Sequence, residues 1–216
     1  RQPSSCASAC GKFTPTFSLN SIDNPVTPVT GRRYTASFGV AGIGGDTRYL
    51  NPTVEGVWFL QQSRRTTLGI RAQAEYIRPY GTSSPLPIFE RLVLGGGYSV
   101  RGYDLRTIGP QDPNSGIVIG GNKSLPPNAE HVIAGGGPVR LILFDGAGQV
   151  KDTGQRFRVP DFITSTGMEV RFFMPVLNVP FRLIFASNPQ RNGVLNYSTG
   201  QPEKAFRFRF DVGSTF

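Results

Sequence analysis

Arg101 is the side chain of this sequence whose type and setting point most directly to a specific chemical role. It lies in the tetrapeptide Val100, Arg101, Gly102 and Tyr103, at the centre of a glycine-rich segment, residues 86–121, between two stretches of strand-like alternation. Connections beyond about 12 to 15 residues are uncommon in compact domains unless they carry function. A guanidinium pairs strongly with carboxylates, and more strongly where the local dielectric is low. The chemistry available to this segment is therefore the pairing of Arg101 with acidic side chains.

The rest of the sequence offers no constellation of residues suited to catalysis. Its single histidine, His131, falls on the outward side of a strand and is expected to be structural. One histidine supplies neither a catalytic triad nor a histidine-rich metal cluster. A phosphate-binding motif of the Walker type is missing, and the stretch GIGGDT is more simply a hairpin turn. We therefore expect no enzyme activity, no cofactor and no metal site.

The two cysteines, Cys6 and Cys10, lie in a small polar segment at the start of the chain. A CxxxC pair with no further cysteine and no nearby histidine is a poor metal site. A disulfide formed in an oxidising compartment fits this spacing better, and two free thiols are the alternative. The sequence therefore predicts a disulfide between Cys6 and Cys10.

The composition narrows the class of protein. Only 38% of the 216 residues are hydrophobic, and no run approaches the ~20 consecutive apolar residues of a membrane-spanning helix. Transmembrane β-strands escape this test because they alternate apolar and polar residues. The net charge of +9 does not indicate a nucleic-acid partner, because the 23 lysines and arginines are spread along the chain instead of forming a patch. The first residue is not methionine and no apolar leader follows, so a processed or truncated product is expected.

From Lys12 onward the sequence falls into about nine segments of alternating apolar and polar residues, separated by turn residues. The last segment is the most regular, with Phe206, Phe208, Phe210 and Phe216 on one side. Charged residues recur on the side opposite the apolar one, which reverses the arrangement of a soluble barrel with an apolar core. These inward charges are Arg33, Glu55, Arg71, Glu75, Glu130, Arg140, Glu169, Arg171, Arg182, Arg207, Arg209 and Asp211. The predicted fold class is all-β, a transmembrane antiparallel β-barrel, and a soluble β-sandwich is the alternative.

Loop lengths give an independent indication of the same fold. Outer-membrane barrels have short periplasmic turns and long extracellular loops. With the carboxyl terminus taken as periplasmic, the short turns on that side are residues 24–31, 62–65, 134–137 and 175–180. The long connections on the extracellular side are residues 86–121, 151–161 and 188–204, together with the cysteine segment. The topology is therefore self-consistent.

The long segment also resembles a known family. The stretch GGGYSVRGYDLRTIGP, followed by GGN, is similar to the sixth extracellular loop of the BamA and TamA family of outer-membrane assembly barrels. Two-partner secretion transporters are more distant relatives of that family. The resemblance implies that residues 1–216 are the C-terminal part of a barrel, about nine strands of sixteen. It also implies that residues 86–121 are a lumen-directed extracellular loop.

The resemblance further implies which residues hold the loop in place. In the family, the VRG-aromatic tip is held by acidic residues on the two strands that follow the loop, and Glu130 in NAEH matches the first position. The family pattern on the next strand is F-x-D-x-G, whereas this chain has FDGAG, with Asp145 as the acidic residue and Gly146 where the aspartate belongs. By alternation, Asp145 points away from the lumen unless a bulge reorients it. Glu169 is the next candidate partner of Arg101 by its face.

The function implied by the resemblance is the assembly and insertion of β-barrel proteins into the bacterial outer membrane, without ATP or cofactor. The expected partners are the lipid bilayer, unfolded outer-membrane proteins, and either the missing N-terminal strands and periplasmic domains or a second copy. The strand with Phe206, Phe208, Phe210 and Phe216 resembles the C-terminal signal of such barrels and is expected to form one side of a seam that templates incoming strands. The alternatives are a two-partner-secretion type translocation pore and a passive porin-like barrel.

Overall fold

The computed structural model describes residues 11–43, 47–81, 86–112, 115–173, 179–191, 193–195 and 200–213. The strands are β1 (Gly11–Phe13), β2 (Thr16–Asn20), β3 (Gly31–Ile43), β4 (Tyr49–Gln61), β5 (Thr66–Tyr76), β6 (Arg78–Pro79), β7 (Lys123–Leu125), β8 (Asn128–Gly136), β9 (Val139–Lys151), β10 (Ile163–Phe173), β11 (Pro180–Ser187) and β12 (Phe206–Val212). Two 3-10 turns span Ile88–Glu90 and Val159–Asp161. Within the described ranges, no helix is long and apolar enough to cross a membrane.

All of these strands join one antiparallel sheet. The path through it runs over nine strands in the order β1, β3, β4, β5, β7, β9, β10, β11 and β12. The short strand β2 pairs with β3, β6 pairs with β4, and β8 pairs with β5 and β9. β1 and β2 both pair with β3, and β7 and β8 both pair with β5 and β9. β1 and β2 are therefore two parts of one interrupted strand, and so are β7 and β8. The architecture agrees with the alternating segments of the sequence.

The interruption between β7 and β8 is caused by Pro126 and Pro127. Neither proline has an N–H group to donate to the ladder. Pairing resumes at Asn128, whose side-chain amide donates to the carbonyl of Pro126 at 3.3 Å. By Glu130 the strand is back in register, opposite Phe144 of β9. The distortion expected from the sequence therefore ends before the residue that faces the loop.

The two faces of the sheet differ in character. We call the face that packs against residues 86–121 the inner face and the opposite one the outer face. On β12, Phe206, Phe208 and Phe210 project from the outer face and are 61%, 56% and 56% exposed, while Arg207 and Arg209 between them are half-buried on the inner face. An apolar outer face and a polar inner face are typical of strands that meet lipid on one side.

The sheet has two free edges within the described ranges. There β1 and β2 pair only with β3, and β12 pairs only with β11. All residues of β1 and β2 are exposed. A strand edge with unpaired N–H and C=O groups is a template for another strand. The first and last strands are therefore the places where further strands can add.

Candidate functional site

Residues 86–121 form a loop that doubles back on itself. Leu92 bridges Gly121 near the base of the loop, and Leu94 bridges Ile108 closer to the tip. At both bridges the backbone hydrogen bonds run in each direction, with lengths of 2.8 to 3.0 Å. The two limbs are therefore held together, and the tetrapeptide at residues 100–103 lies against the inner face as one unit.

Arg101 lies between two carboxylates of the inner face and is only 2% exposed. Its Nη2 donates a hydrogen bond to Oε1 of Glu130, and its Nη1 lies 3.6 Å from Oε2 of Glu169. The guanidinium also lies over the ring of Phe144, 4.7 Å from the centroid. Burial lowers the pKa of the Arg101 guanidinium to about 9, which leaves the group charged at neutral pH. The loop tip thus carries a buried cation that is matched by acids on β8 and β10.

Two further arginines share these carboxylates. Nη2 of Arg171 lies 2.8 Å from Oε1 of Glu169 and 3.6 Å from Oε2 of Glu130. Arg182 binds Glu169 in a bidentate manner, with Nε to Oε1 and Nη2 to Oε2 both at 2.8 Å. Paired carboxylate–guanidinium contacts of this kind are among the stronger hydrogen bonds in proteins. Glu169 is therefore the centre of the network, and Arg101 is the member that the loop contributes.

Gly102 allows the backbone of the tip to touch the sheet. Its φ of +86° lies in the left-handed region that favours glycine. A Cβ at this position would lie 2.4 Å from Oδ1 of Asn188, 2.7 Å from Cβ of Ala186 and 2.9 Å from Oγ of Ser165. In return, Nδ2 of Asn188 donates to the carbonyl of Gly102 at 3.0 Å. A glycine is required here both by its backbone conformation and by the lack of space.

The residues on either side of this contact bury apolar surface. Val100 and Tyr103 are fully buried. They belong to a cluster that consists of Leu94, Val100, Tyr103, Ile108, Val150 and Val194. The Tyr103 hydroxyl lies 3.1 Å from the carbonyl oxygen of Thr164 and 3.2 Å from that of Gln190. Burial raises the pKa of the Tyr103 phenol, so that it stays a neutral donor to these carbonyls.

The last strand also holds the loop. Nη1 of Arg209 donates to the carbonyl of Tyr103 and lies 3.4 Å from Oδ1 of Asp104. In the other direction, the Tyr98 hydroxyl donates to the carbonyl of Val212 at 3.0 Å. Since β12 is an edge strand within the described ranges, these side-chain contacts supplement its single backbone ladder. The loop tip and the sheet edge are therefore physically connected.

The loop and the antiparallel sheet have counterparts among known proteins. A family model described as the Omp85 superfamily domain matches residues 10–216. The chain belongs to the Omp85 superfamily. The family to which the VRGY motif pointed is thereby confirmed, as are the outer-membrane β-barrel fold class and the location in the bacterial outer membrane.

Two curated Omp85 relatives carry the name Outer membrane protein assembly factor BamA. The one from Nitratidesulfovibrio vulgaris (strain Hildenborough) is 29% identical over an aligned length of 205 residues, and the alignment covers 93% of this chain and 25% of the relative. The one from Neisseria meningitidis serogroup B (strain MC58) is 32% identical over an aligned length of 149 residues, and the alignment covers 65% of this chain and 19% of the relative. The chain therefore spans about a quarter or less of the length of each.

A solved Omp85 structure shares the fold. The crystal structure of BamA from Haemophilus ducreyi lacking POTRA domains 1-3 superposes with a TM-score of 0.75 at 18% identity. The match covers 94% of this chain and 42% of that one. At this level of identity the likeness establishes the arrangement of the strands.

The prediction that Asp145 helps to lock the loop is wrong in this Omp85 chain. Asp145 is exposed on the outer face, opposite Thr166 of β10, because β9 keeps its alternation through this point without a bulge. The inner-face position belongs to Gly146, which is buried; a Cβ there would lie 2.7 Å from Oδ1 of Asn128. The side chain of Glu169 supplies the second carboxylate instead.

Three residues with a predicted role lie outside the described residues: Cys6, Cys10 and Phe216. The disulfide between the two cysteines therefore stays a prediction. Among the described residues, no group of three or more histidine, cysteine, aspartate or glutamate side chains is placed to hold a metal ion.

The sequence did not predict a role for Asn188. It lies one residue past the end of β11, in phase with the buried residues Arg182, Ile184 and Ala186.

Proposed function

We propose that this chain is the C-terminal part of a sixteen-stranded barrel that assists the assembly and insertion of β-barrel proteins into the outer membrane. The observation that carries the proposal is the buried contact of Arg101 with Glu130 and Glu169, because a passive barrel has no need for a loop tip anchored in this way. The name of the two curated relatives supports the same function. Unfolded outer-membrane proteins are the proposed clients, and the reaction requires no cofactor.

The proposed mechanism uses the free edge of β12. Strands cannot leave unpaired backbone groups in lipid, since each such group costs several kcal/mol there. In the complete barrel β12 therefore meets a strand that precedes residue 11, or a strand from a second copy. A seam of this kind can open and present its edge to an incoming strand, which adds by backbone hydrogen bonds. The aromatic side chains Phe206, Phe208 and Phe210 then face lipid along the seam.

The anchored loop has a defined part in this mechanism. Glu130, Glu169 and Arg182 come from β8, β10 and β11, so the network around Arg101 ties the strands next to the seam to one another. Arg209 extends this connection to β12 itself. We infer that the loop holds these strands in register while the opposite side of the seam moves.

The proposal can be tested in a chimera in which residues 11–216 replace the matching part of the Nitratidesulfovibrio vulgaris relative, with which 93% of this chain aligns. The chimera is reconstituted in vesicles, and the rate at which an unfolded outer-membrane barrel becomes protected from protease is measured. We expect acceleration over empty vesicles, and we expect Arg101→Ala to abolish it in a chimera that still shows heat-modifiable mobility. A folded chimera that accelerates nothing but passes an extended polypeptide into the vesicle would instead establish a secretion pore.

A further inference from the structure

The connection between β9 and β10 lies on the outer face of the sheet. We call residues 152–161 the strap. The side chain of Gln149 projects from the outer face, yet it is only 3% exposed because the strap covers it. Its Nε2 donates to the carbonyl of Arg158 and its Oε1 accepts from the N–H of Arg158, both at 3.1 Å. Nζ of Lys123 donates to the carbonyl of Gln155 at 3.2 Å. The strap is thus docked on the outer face by contacts with β9 and β7.

Beside the strap is an apolar groove of about 420 Å³. Its floor is formed by Val54 and Ala74, which pair across β4 and β5, and Tyr76 lines it beside Lys123, its partner on β7. Phe157 of the strap forms the wall above them. Val54 is 59% exposed and Phe157 is 39% exposed, so apolar surface lines the opening as well as the floor. The small side chain of Ala74 leaves the gap between its larger neighbours.

The acidic side chains of the strap are already paired. Asp152 lies 3.2 Å from Nη1 of Arg91, and Asp161 lies 2.8 Å from Nζ of Lys151. These pairs leave Arg156 and Arg158 without a salt bridge among the described residues, although the charge of Arg158 still acts on Asp161.

Three cations remain around the groove. Arg156 and Arg158 flank Phe157 and are exposed, and within the described part of the chain their guanidinium groups make no hydrogen bond or salt bridge. Lys123 lines the groove and lies 5.8 Å above the ring of Tyr76, with a backbone carbonyl as its hydrogen-bond partner. All three are at the end of the sheet that bears the long loops, which is the outside of an outer-membrane barrel.

We propose that the strap and groove bind a membrane lipid with a phosphate headgroup. The acyl chain lies along Val54 and Ala74, toward the middle of the bilayer, and Phe157 packs over it. The phosphate lies at the outer end, within reach of Lys123, Arg156 and Arg158. The position of the cations at the rim and of the apolar floor below it matches the layout of such a lipid in the outer leaflet. The docked strap thereby places two exposed arginines without a salt bridge at the rim of the groove.

Lipid retention measured by native mass spectrometry tests the proposal. The chain is released from bicelles that contain equal amounts of phosphatidylcholine and phosphatidylglycerol, and the lipids that remain bound per copy are counted. The mass also gives the number of copies, so an oligomer is scored in the same way. We expect phosphatidylglycerol to be retained in preference to phosphatidylcholine, and the double variant Arg156→Gln/Arg158→Gln to lower that preference by about fivefold per cation.

The matched control is Arg64→Gln/Arg65→Gln, which removes the same charge from two exposed arginines in the short turn at the opposite end of the sheet. It is expected to retain the preference of the original chain. An equal loss of preference in both double variants, or no preference in the original chain, would overturn the site. Phe157→Ser supplies a second arm and should reduce the retention of either lipid, because the wall of the groove is lost.

Two further probes identify the source of the phosphate. Lipid A, which carries phosphate on an acylated sugar, should be retained at least as well as phosphatidylglycerol. Free inorganic phosphate should not displace either lipid at equal concentration, since it gains nothing from the apolar groove. Displacement by free phosphate would show an anion site without a lipid and would contradict the proposal.

Discussion

The side-chain amide of Asn188 donates a hydrogen bond of 3.0 Å to the carbonyl of Gly102, so the end of β11 holds the loop tip by its backbone. The same amide donates to the carbonyl of Lys204 at 3.1 Å, and Asn188 is fully buried. One side chain therefore joins the loop tip to the segment that leads into β12.

Replacing Asn188 with alanine should loosen the tip. Both carbonyls would lose their donor, and a buried polar group without a partner costs about 1 to 3 kcal/mol. We expect a free energy of unfolding in urea lower by that amount and faster chymotryptic cleavage after Tyr103. The neighbouring Ser187→Ala, on the exposed side of the strand, should change neither quantity. Equal cleavage rates in the two variants would contradict the role of the amide.

Arg101→Ala should be among the most destabilising single changes in the loop. It leaves Glu130 and Glu169 buried with less positive charge, and breaking a buried ion pair from one side costs about 3 to 5 kcal/mol. The free energy of unfolding in detergent measures the effect. Arg106→Gln is the control, because Arg106 is an exposed arginine of the same loop. If the two variants unfold at the same urea concentration, burial of Arg101 does not stabilise the fold.

Gly102→Ala tests whether the lack of space between the loop tip and the sheet lowers stability beyond the strain of a positive φ. Gly102 and Gly116 both have positive φ, +86° and +68°, so alanine is strained at either position. Only at residue 102 does the new Cβ collide with the sheet, since at residue 116 the nearest atom is 3.7 Å away, on Leu195. Gly102→Ala should therefore cost about 1 to 3 kcal/mol more than Gly116→Ala in urea unfolding. Equal costs would mean that the tip adjusts freely.

The second carboxylate of the network can be assigned by a pair of isosteric changes. Glu169→Gln weakens the contacts with Arg182 and Arg171, both of which are buried, and should cost about 3 kcal/mol or more. Asp145→Asn alters an exposed outer-face residue and should stay within about 0.5 kcal/mol of the original chain. The urea concentrations at which the two variants are half unfolded decide whether Glu169 or Asp145 is the second carboxylate. A larger effect at Asp145 would restore it as the locking residue.

Asp104→Asn should loosen the edge strand instead of the tip. The Asp104 carboxylate lies 2.7 Å from Nη1 of Arg207 and 3.4 Å from Nη1 of Arg209, and all three groups are partly exposed. Pairs of this exposure contribute up to about 1 kcal/mol, so amide exchange along β12 should rise by up to about fivefold. Asp112→Asn, in the same loop but bound to the hydroxyl of Ser115, is the control. Unchanged exchange along β12 in Asp104→Asn would show that loop and edge are independent.

The local pattern of the sequence determined the sheet. Alternation with a period of two places Phe206, Phe208 and Phe210 on one face whatever the neighbouring strand is, because it follows from the geometry of a single strand. The same rule predicts that Asp145 faces outward. Pro126 and Pro127 break the ladder through their own missing N–H groups. The VRGY motif indicated the family and, through it, Glu130 as a partner of Arg101, and alternation named Glu169 as the next candidate.

The partners of the loop were decided by the tertiary structure. Arg182 joins Arg101 at the carboxylate of Glu169 because of the stagger between β10 and β11, and stagger depends on long-range pairing that one strand does not encode. Asn188 lies one residue beyond the end of its strand, and its contact with Gly102 joins residues that are 86 positions apart in the sequence. The path of a loop is set by the whole surface against which it packs. Alternation can therefore say which residues face inward, while only the folded sheet determines which of them touch.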